Sequence, residues 1–204
     1  MKKVYLSIPG EPIDVLLAYL HSKMELTATF DETIVPMLTA FTPEKTYHCK
    51  KLEKVMRTAY WVHTGYAYIT IKLQNKEGIP VQHLVDILGP GKIMLHPDGF
   101  FNNEETACEF WITPGSIVVP FTQQNFGELK LSATEASALA ACILAENATL
   151  SLIKSCMLKL PGLMLLQEMN RIFGKLIWQH FSQHELSNYT GITKSHLCRI
   201  KNRV

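Results

Sequence analysis

The side chains able to do chemistry in this sequence are scattered, and where they come close their spacing fits no catalytic arrangement. His180 and His184 stand four residues apart, the interval that brings two imidazoles onto one helix face. They lie across a helix start, lack the glutamate of a zinc-protease helix, and have no third ligand nearby in the sequence. Glu104 and Glu105 are adjacent and read as a solvated loop rather than as an acid and a base facing one another. The cysteines, Cys49, Cys108, Cys142, Cys156 and Cys198, are odd in number and widely spaced without a Cys-x-x-Cys pair, so they read as buried or idle thiols. There is no phosphate-binding loop, no Gly-x-Ser-x-Gly turn, and no amino-terminal cysteine cluster that would hold an iron–sulfur centre. A non-enzyme with no metal and no cofactor is the expectation. What remains is charge. Residues 175–204 carry Lys175, Lys194, Arg199, Lys201 and Arg203 against the single acid Glu185, a basic end on a chain whose net charge is only +2.

A chain of 204 residues with 47% hydrophobic and 19% charged residues can bury a sizeable core in one large or two small domains. Its longest apolar stretches are broken by Lys, Glu, Asn or Gln before the ~18 residues of a membrane span, and the first residues lack the apolar segment of a signal peptide. No membrane association and a cytoplasmic location are expected. Pro12 followed by Ile13, Leu16, Leu17 and Leu20 has the spacing of a short amphipathic helix, and a second is expected over 31–41. From 47 to 126 short β-rich runs, including Ala59-Tyr60-Trp61-Val62, Ala67-Tyr68-Ile69-Thr70-Ile71-Lys72-Leu73 and Cys108-Glu109-Phe110-Trp111-Ile112, alternate with Gly, Pro and Asn, which predicts an antiparallel β domain.

Ser132-Ala133-Thr134-Glu135 has the spacing of a capping box, in which serine and glutamate side chains each bond the other's backbone N–H. In the long helix expected to follow, Ala136, Leu139, Ile143, Glu146, Leu150, Ile153 and Met157 are spaced 3, 4, 3, 4, 3, 4, the seam of a coiled coil with one polar position. The same stripe could instead pack on the β domain of its own chain. Beyond Pro161, Leu165, Leu166, Met169, Ile172, Phe173 and Leu176 mark another apolar face. Ser182 and Glu185 then form a second capping box, Gly191 supplies a left-handed turn, and Thr193 caps a last helix. That is helix, glycine turn, helix. Leu197 and Ile200 face inward on the last helix, which leaves Lys194, Ser195, Arg199 and Asn202 on its opposite side and Lys201 and Arg203 placed for phosphates.

Residues 182–201 resemble the helix-turn-helix of the Crp/Fnr regulators, in the short Bacteroidetes-type form that reads Gln-x-x-Leu/Ile-Ala/Ser-x-Tyr-x-Gly-Ile-Thr and then Leu-Ser-Arg-Ile. Here the matching residues are Gln183, Leu186, Ser187, Tyr189, Gly191, Ile192 and Thr193, then Leu197, Cys198, Arg199 and Ile200. The resemblance extends to Trp61-Val62-His63-Thr64-Gly65-Tyr66-Ala67-Tyr68-Ile69, similar to the family's second roll segment, and to Gly89-Pro90-Gly91, similar to its Gly-Pro-Gly turn. It implies an α+β chain: an N-terminal β-roll (double-stranded β-helix, cyclic-nucleotide-binding-like), a long dimerisation helix, and a C-terminal helix-turn-helix, with boundaries at 1–128, 129–160 and 161–204. The dimer would use Ala136, Leu139, Ile143, Leu150, Ile153 and Met157, and DNA would be contacted by Ser182, Gln183, Thr193, Lys194, Ser195, His196, Arg199, Lys201, Asn202 and Arg203. Lys194 stands where the family often has a base-reading arginine, Ser195 where it often has glutamate, and Arg199 where a second arginine reads guanine. Without the glutamate there is no acceptor for cytosine N4, so the family's usual operator is not expected.

The family's cyclic-nucleotide cassette runs from Gly-Pro-Gly through a Gly-Glu pair to Arg-Ser/Thr-Ala. Ungapped counting puts Leu95 and His96 at the pair and Glu105, Thr106 and Ala107 at the triplet. A glutamate in place of the arginine repels the cyclic phosphate that a guanidinium would bind through charge-assisted bonds. The site reads as degenerate, and the effector as unknown, absent, or at least not cyclic AMP. The leading expectation is a homodimeric regulator of palindromic DNA. A signalling or protein-interaction module of the same descent that has lost DNA binding is the alternative, and a binder of an apolar or acidic metabolite a third.

Overall fold

The computed structural model describes residues 11–49, 55–74 and 77–201. Asn202 and Arg203, among the expected DNA contacts, lie outside the described residues. Helix α1 (Glu11–His21) carries Pro12 in its first turn and buries Leu16 and Leu20. The second helix is displaced from the expected 31–41. Thr27 caps α2 (Ala28–Ile34) by accepting the Phe30 N–H, and a 3₁₀ turn, Val35–Met37, ends it at Pro36, which has no N–H to continue an α-helical ladder.

Seven strands follow among the described residues: β1 (Tyr47–His48), β2 (Thr58–Thr64), β3 (Ala67–Gln74), β4 (Pro80–Leu88), β5 (Lys92–Met94), β6 (Cys108–Ile112) and β7 (Ile117–Thr122), with the short helix α3 (Pro97–Asn102) between β5 and β6. They form two antiparallel sheets, ordered β1-β6-β3-β4 and β5-β2-β7. Tyr60, Val62, Met94 and Val118 of one sheet pack against Ala67, Leu88, Phe110 and Ile112 of the other, which makes the interior of the roll. Ala59, Trp61 and Val119 point the other way, into a second core with α1, α2 and the helices after β7. Both faces of β2 are therefore covered, which is why 59–62 reads as a continuous apolar run rather than an alternating one. Gly91, at φ +75°, turns the chain from β4 into β5 at the Gly89-Pro90-Gly91 corner.

The helix α4 (Gln123–Ser132), capped by Thr122, occupies the segment expected to finish the β domain. Residues 128 and 129, where a boundary was expected, are both inside it. The expected capping box of Ser132 and Glu135 does not form. Ser132 ends α4, and the Glu135 carboxylate accepts instead from the Thr27 N–H at 3.1 Å and the Thr27 hydroxyl at 2.6 Å. The same spacing serves a bond between distant segments. Residues 158–161 form the connection that follows α5 (Ala136–Met157), so the boundary expected between 160 and 161 falls inside it.

The 22-residue helix α5 is apolar enough by length and composition to cross a membrane, with mean hydropathy 1.6, so the interruptions noted in the sequence do not lower its average below that of a span. Its charges pin it to the roll instead. Glu146 accepts from Lys92 Nζ at 2.9 Å and from the Tyr19 hydroxyl at 3.0 Å, and also pairs with Lys23. Burial opposes the ionised form of Glu146, but these donors outweigh it and hold the carboxyl near a pKa of about 2. The expected dimer seam is corrected here. Ala136 and Leu139 are buried in the second core with Ile143 against it, Met157 is buried in a third, and Glu146 is committed to α1 and β5. Periodicity finds an apolar stripe but cannot name what covers it. On this stripe Leu150 is half-buried and only Ile153 is exposed.

Because the folded pKa of Glu146 lies below the ordinary value of 4.5, its stabilisation is complete above that pH and is lost as pH falls toward about 2. Glu146→Gln is expected to lower unfolding free energy by about 2 kcal/mol at neutral pH. In urea titrations the gap between variant and wild type should close as pH drops through that window.

Candidate nucleic-acid interface

Four helices follow α5 among the described residues: α6 (Gly162–Phe173), α7 (Ile177–His180), α8 (Gln183–Thr190) and α9 (Lys194–Lys201). Leu165, Leu166, Met169 and Phe173 of α6 meet Ile177, Phe181, Leu186, Tyr189, Leu197 and Ile200 in one core. The apolar face of α6 ends sooner than expected, because Gly174 at φ +78° terminates the helix and leaves Leu176 58% exposed.

The turn between α8 and α9 is built from local bonds. Ser182 and Glu185 form the expected capping box, with the Ser182 N–H donating to the Glu185 carboxylate at 2.7 Å and the Glu185 N–H to the serine oxygen at 3.2 Å. Gly191 adopts φ +70° and donates to the Ser187 carbonyl at 2.9 Å, which ends α8. The Ser187 hydroxyl then donates to the Ile192 carbonyl at 2.6 Å, and the Thr190 hydroxyl accepts from the Ile192 N–H at 3.3 Å. Thr193 stands just before α9, and its carbonyl accepts from Leu197 at 2.8 Å. These bonds define the turn that joins the two helices.

With Leu197 and Ile200 buried, Lys194, Ser195, His196 and Arg199 are exposed along the outside of α9. Ser182 and Gln183 are exposed at the start of α8, but the Gln183 side-chain oxygen is already taken by the Cys198 thiol at 2.8 Å, tying α8 to α9. Lys201 is half-buried with Nζ 5.4 Å from the Trp178 ring centroid, so its ammonium is held against that ring. The Thr193 and Ser195 hydroxyls are 3.4 Å apart. His180 contributes no ligand-like geometry: its ring meets Tyr66 edge-on at 5.0 Å between centroids.

The expected cassette residues separate in space. His96 caps α3, its Nδ1 accepting from the Gly99 N–H at 3.0 Å. Leu95 and His96 line a cavity of about 320 Å³ between the roll and α5, whose other walls include Asp86, Phe110, Ser151, Lys154 and Tyr189. Glu105, Thr106 and Ala107 are not among those walls: Glu105 bridges to Val55, and the Thr106 hydroxyl accepts from the Cys108 N–H at 3.1 Å. Among the described residues, Lys154 is the lysine or arginine that lines the cavity, and no motif in the sequence marks it. It is 5% exposed, with Nζ 2.6 Å from the Asp86 carboxylate and 2.7 Å from the Ile87 carbonyl, and burial pulls its pKa below the usual lysine range against the pull of Asp86. Leu152 and Ile153 precede it and Ser155 follows it, so the local signal was a lone charge in a mostly apolar helix.

No family model matches the chain, and no curated protein matches it. Solved structures do. FixK2 from Bradyrhizobium japonicum superposes with a TM-score of 0.59 at 13% identity, over 81% of this chain and 83% of its own. A transcriptional regulator of the Crp/Fnr family from Eubacterium rectale gives 0.59 at 10% identity, over 89% and 87%. The c-di-GMP responsive global regulator CLP of Xanthomonas campestris gives 0.57 at 13%, over 87% and 91%. At such identities the likeness speaks to architecture: this chain has the α+β fold of the Crp/Fnr regulators, a cyclic-nucleotide-binding-like roll carrying a helix-turn-helix.

Removing the cap that starts α8 tests how the turn is held. Ser182→Ala is expected to cost about 1 kcal/mol in chemical denaturation with an unchanged denaturant slope.

Proposed function

We propose that this chain is a cytoplasmic, non-enzymatic transcription regulator that binds DNA in a sequence-specific manner as a homodimer. The observation that carries the reading is α9 itself: a short helix anchored inward by Leu197 and Ile200, with Lys194, Ser195 and Arg199 exposed behind a rigid, capped α8. An α-helix of this kind fits the major groove, where Arg199 can donate two bonds to guanine O6 and N7. Ser182 and the α8 start, Lys201 and the C-terminal Arg203 serve phosphates, and Thr193 and His196 flank the bases. The cavity beside α5 supports the degenerate-site reading, since its cation is already neutralised by Asp86 and a cyclic phosphate would have to displace that carboxylate. Cyclic AMP is not the effector in this account.

The dimer uses the next stripe of α5 rather than the one taken by the roll. Ala138, Cys142, Ala145, Thr149, Leu152 and Cys156 lie one residue before the expected seam, are spaced 4, 3, 4, 3, 4, and are all exposed. Leu152 is 65% exposed, a large apolar side chain left uncovered within one protomer. A parallel two-fold pairing on this stripe sets Cys142 and Cys156 opposite their own copies. A short bismaleimide is therefore expected to give a covalent dimer in denaturing gels, lost when both cysteines become serine. Monomer alone, at concentrations where ultracentrifugation shows dimer, would move the interface elsewhere.

On a duplex selected by the wild type, Arg199→Ala should cost about 1–3 kcal/mol per half-site and relax preference at one base pair. Lys201→Ala should weaken all sequences alike and reduce the salt slope by about one. Identical behaviour of the two variants, without sequence preference, would favour an interaction module that has lost specific DNA binding.

A further inference from the structure

The helix-turn-helix is not tethered loosely to the roll. Tyr66, Leu84 and Ile87 of the roll are buried in the same core as α6, α8 and α9, and Met157 of α5 joins them. Two polar contacts at this junction are specific. The Tyr66 hydroxyl donates at 2.7 Å to the carbonyl of Phe173, the last residue of α6, where a helix leaves carbonyls without internal partners. Lys154 donates from α5 to Asp86 and to the carbonyl of Ile87 on β4, the edge strand of its sheet, and its Nζ sits 5.6 Å from the Phe173 ring centroid. Three parts of the molecule meet there: the roll, the long helix, and the first helix of the reading head.

Tyr66 is itself held from beneath. Its N–H donates to the Ser116 hydroxyl at 3.1 Å and the Thr113 hydroxyl at 3.3 Å, both fully enclosed in the roll. Gly65, at φ +77°, lets the chain pass over Ser116, where a Cβ would fall 2.1 Å from the serine oxygen. The ring of Tyr66 then meets Phe181 edge-on at 5.8 Å between centroids, at the foot of α8. A buried polar cluster in the roll thus holds Tyr66 against the end of α6 and against Phe181, the residue before the α8 cap.

We propose that Lys154 and Tyr66 are positioning residues that fix the orientation of α9 relative to α5, and so set the spacing of the two half-sites a dimer reads. This rests on the DNA-binding reading above. The dimer axis runs along α5, so a rotation of the reading head about the α5–α6 connection moves each α9 relative to the axis. Neither side chain faces DNA, and each contributes only through the junction. Hydrophobic packing alone is non-directional, whereas one hydrogen bond to a helix terminus and one buried ion pair each accept a single geometry.

The test uses Tyr66→Phe, which removes only the hydroxyl, and the double variant Lys154→Met with Asp86→Asn, which removes the pair without stranding a charge. Hydrogen exchange of the full chain is read first. Amides of β4 and α8 should exchange at least about tenfold faster in both variants while β2 and β7 keep wild-type protection. Palindromic duplexes carrying the half-site selected by the wild type, with centre separations stepped one base pair at a time, are read second. The wild type should prefer one separation sharply, and the variants should lose about tenfold at that separation while binding a single half-site as before. Unchanged exchange, an unchanged spacing profile, or an equal loss on the single half-site would overturn the positioning role. Faster exchange in the variants of a chain that selects no duplex at all would overturn the spacing claim through the DNA-binding reading, with the junction itself still established.

Discussion

An ammonium group withdrawn almost completely from water has to be paired, and the pairing of Lys154 with Asp86 constrains how the rest of the molecule can be arranged. Leaving the buried ammonium alone would cost several kcal/mol, so α5 and β4 must stay in contact wherever the native state persists. Glu146 imposes the same condition two turns earlier through Lys23, Lys92 and Tyr19. One stripe of a very apolar helix is thereby assigned to the roll. The adjacent stripe of Ala138, Cys142, Ala145, Thr149, Leu152 and Cys156 is left uncovered, and a second copy is the partner that its heptad spacing fits.

The same constraint links the ends of the chain. β4 carries Asp86 and Ile87, forms the edge of the larger sheet, and also receives α8, so the strand that neutralises Lys154 is the strand on which the reading head rests. Covering an edge strand protects it from pairing with other chains. The junction leaves Lys194, Ser195, His196 and Arg199 exposed, so docking on the roll and offering a face to DNA are compatible.

Legibility in the sequence followed the range of the interaction. The helix-turn-helix could be read almost residue by residue, because the Ser182–Glu185 cap, the Gly191 turn, and the inward Leu197 and Ile200 are all set by neighbours a few positions away. Three strands of the roll, β2, β3 and β6, were legible as β-rich runs bounded by turn residues, but their pairing into two sheets was not. What failed was partner choice. Ser132 and Glu135 have a capping spacing, yet Thr27, distant in sequence, takes the carboxylate. The α5 stripe has a coiled-coil spacing, yet α1, β5 and the cores of its own protomer take it. Helix α4 was hidden by an apolar β-rich approach and by Gly127 within it, although Thr122 capping a polar first turn was its signal. Lys154 and Tyr66 could not be singled out, since their roles depend on Asp86 and Phe173 arriving from other elements.

The claim that organises this account is that two copies of α9, held at a fixed distance by α5 and the roll, read a two-fold symmetric sequence. Selection of bound duplexes from a random pool by the intact chain measures it most directly. The account predicts enrichment of an inverted repeat with half-sites centred about 10–10.5 base pairs apart, or a multiple of that interval. A pool that stays random after repeated rounds at physiological salt, with retention that falls with salt alike for every sequence, would contradict it.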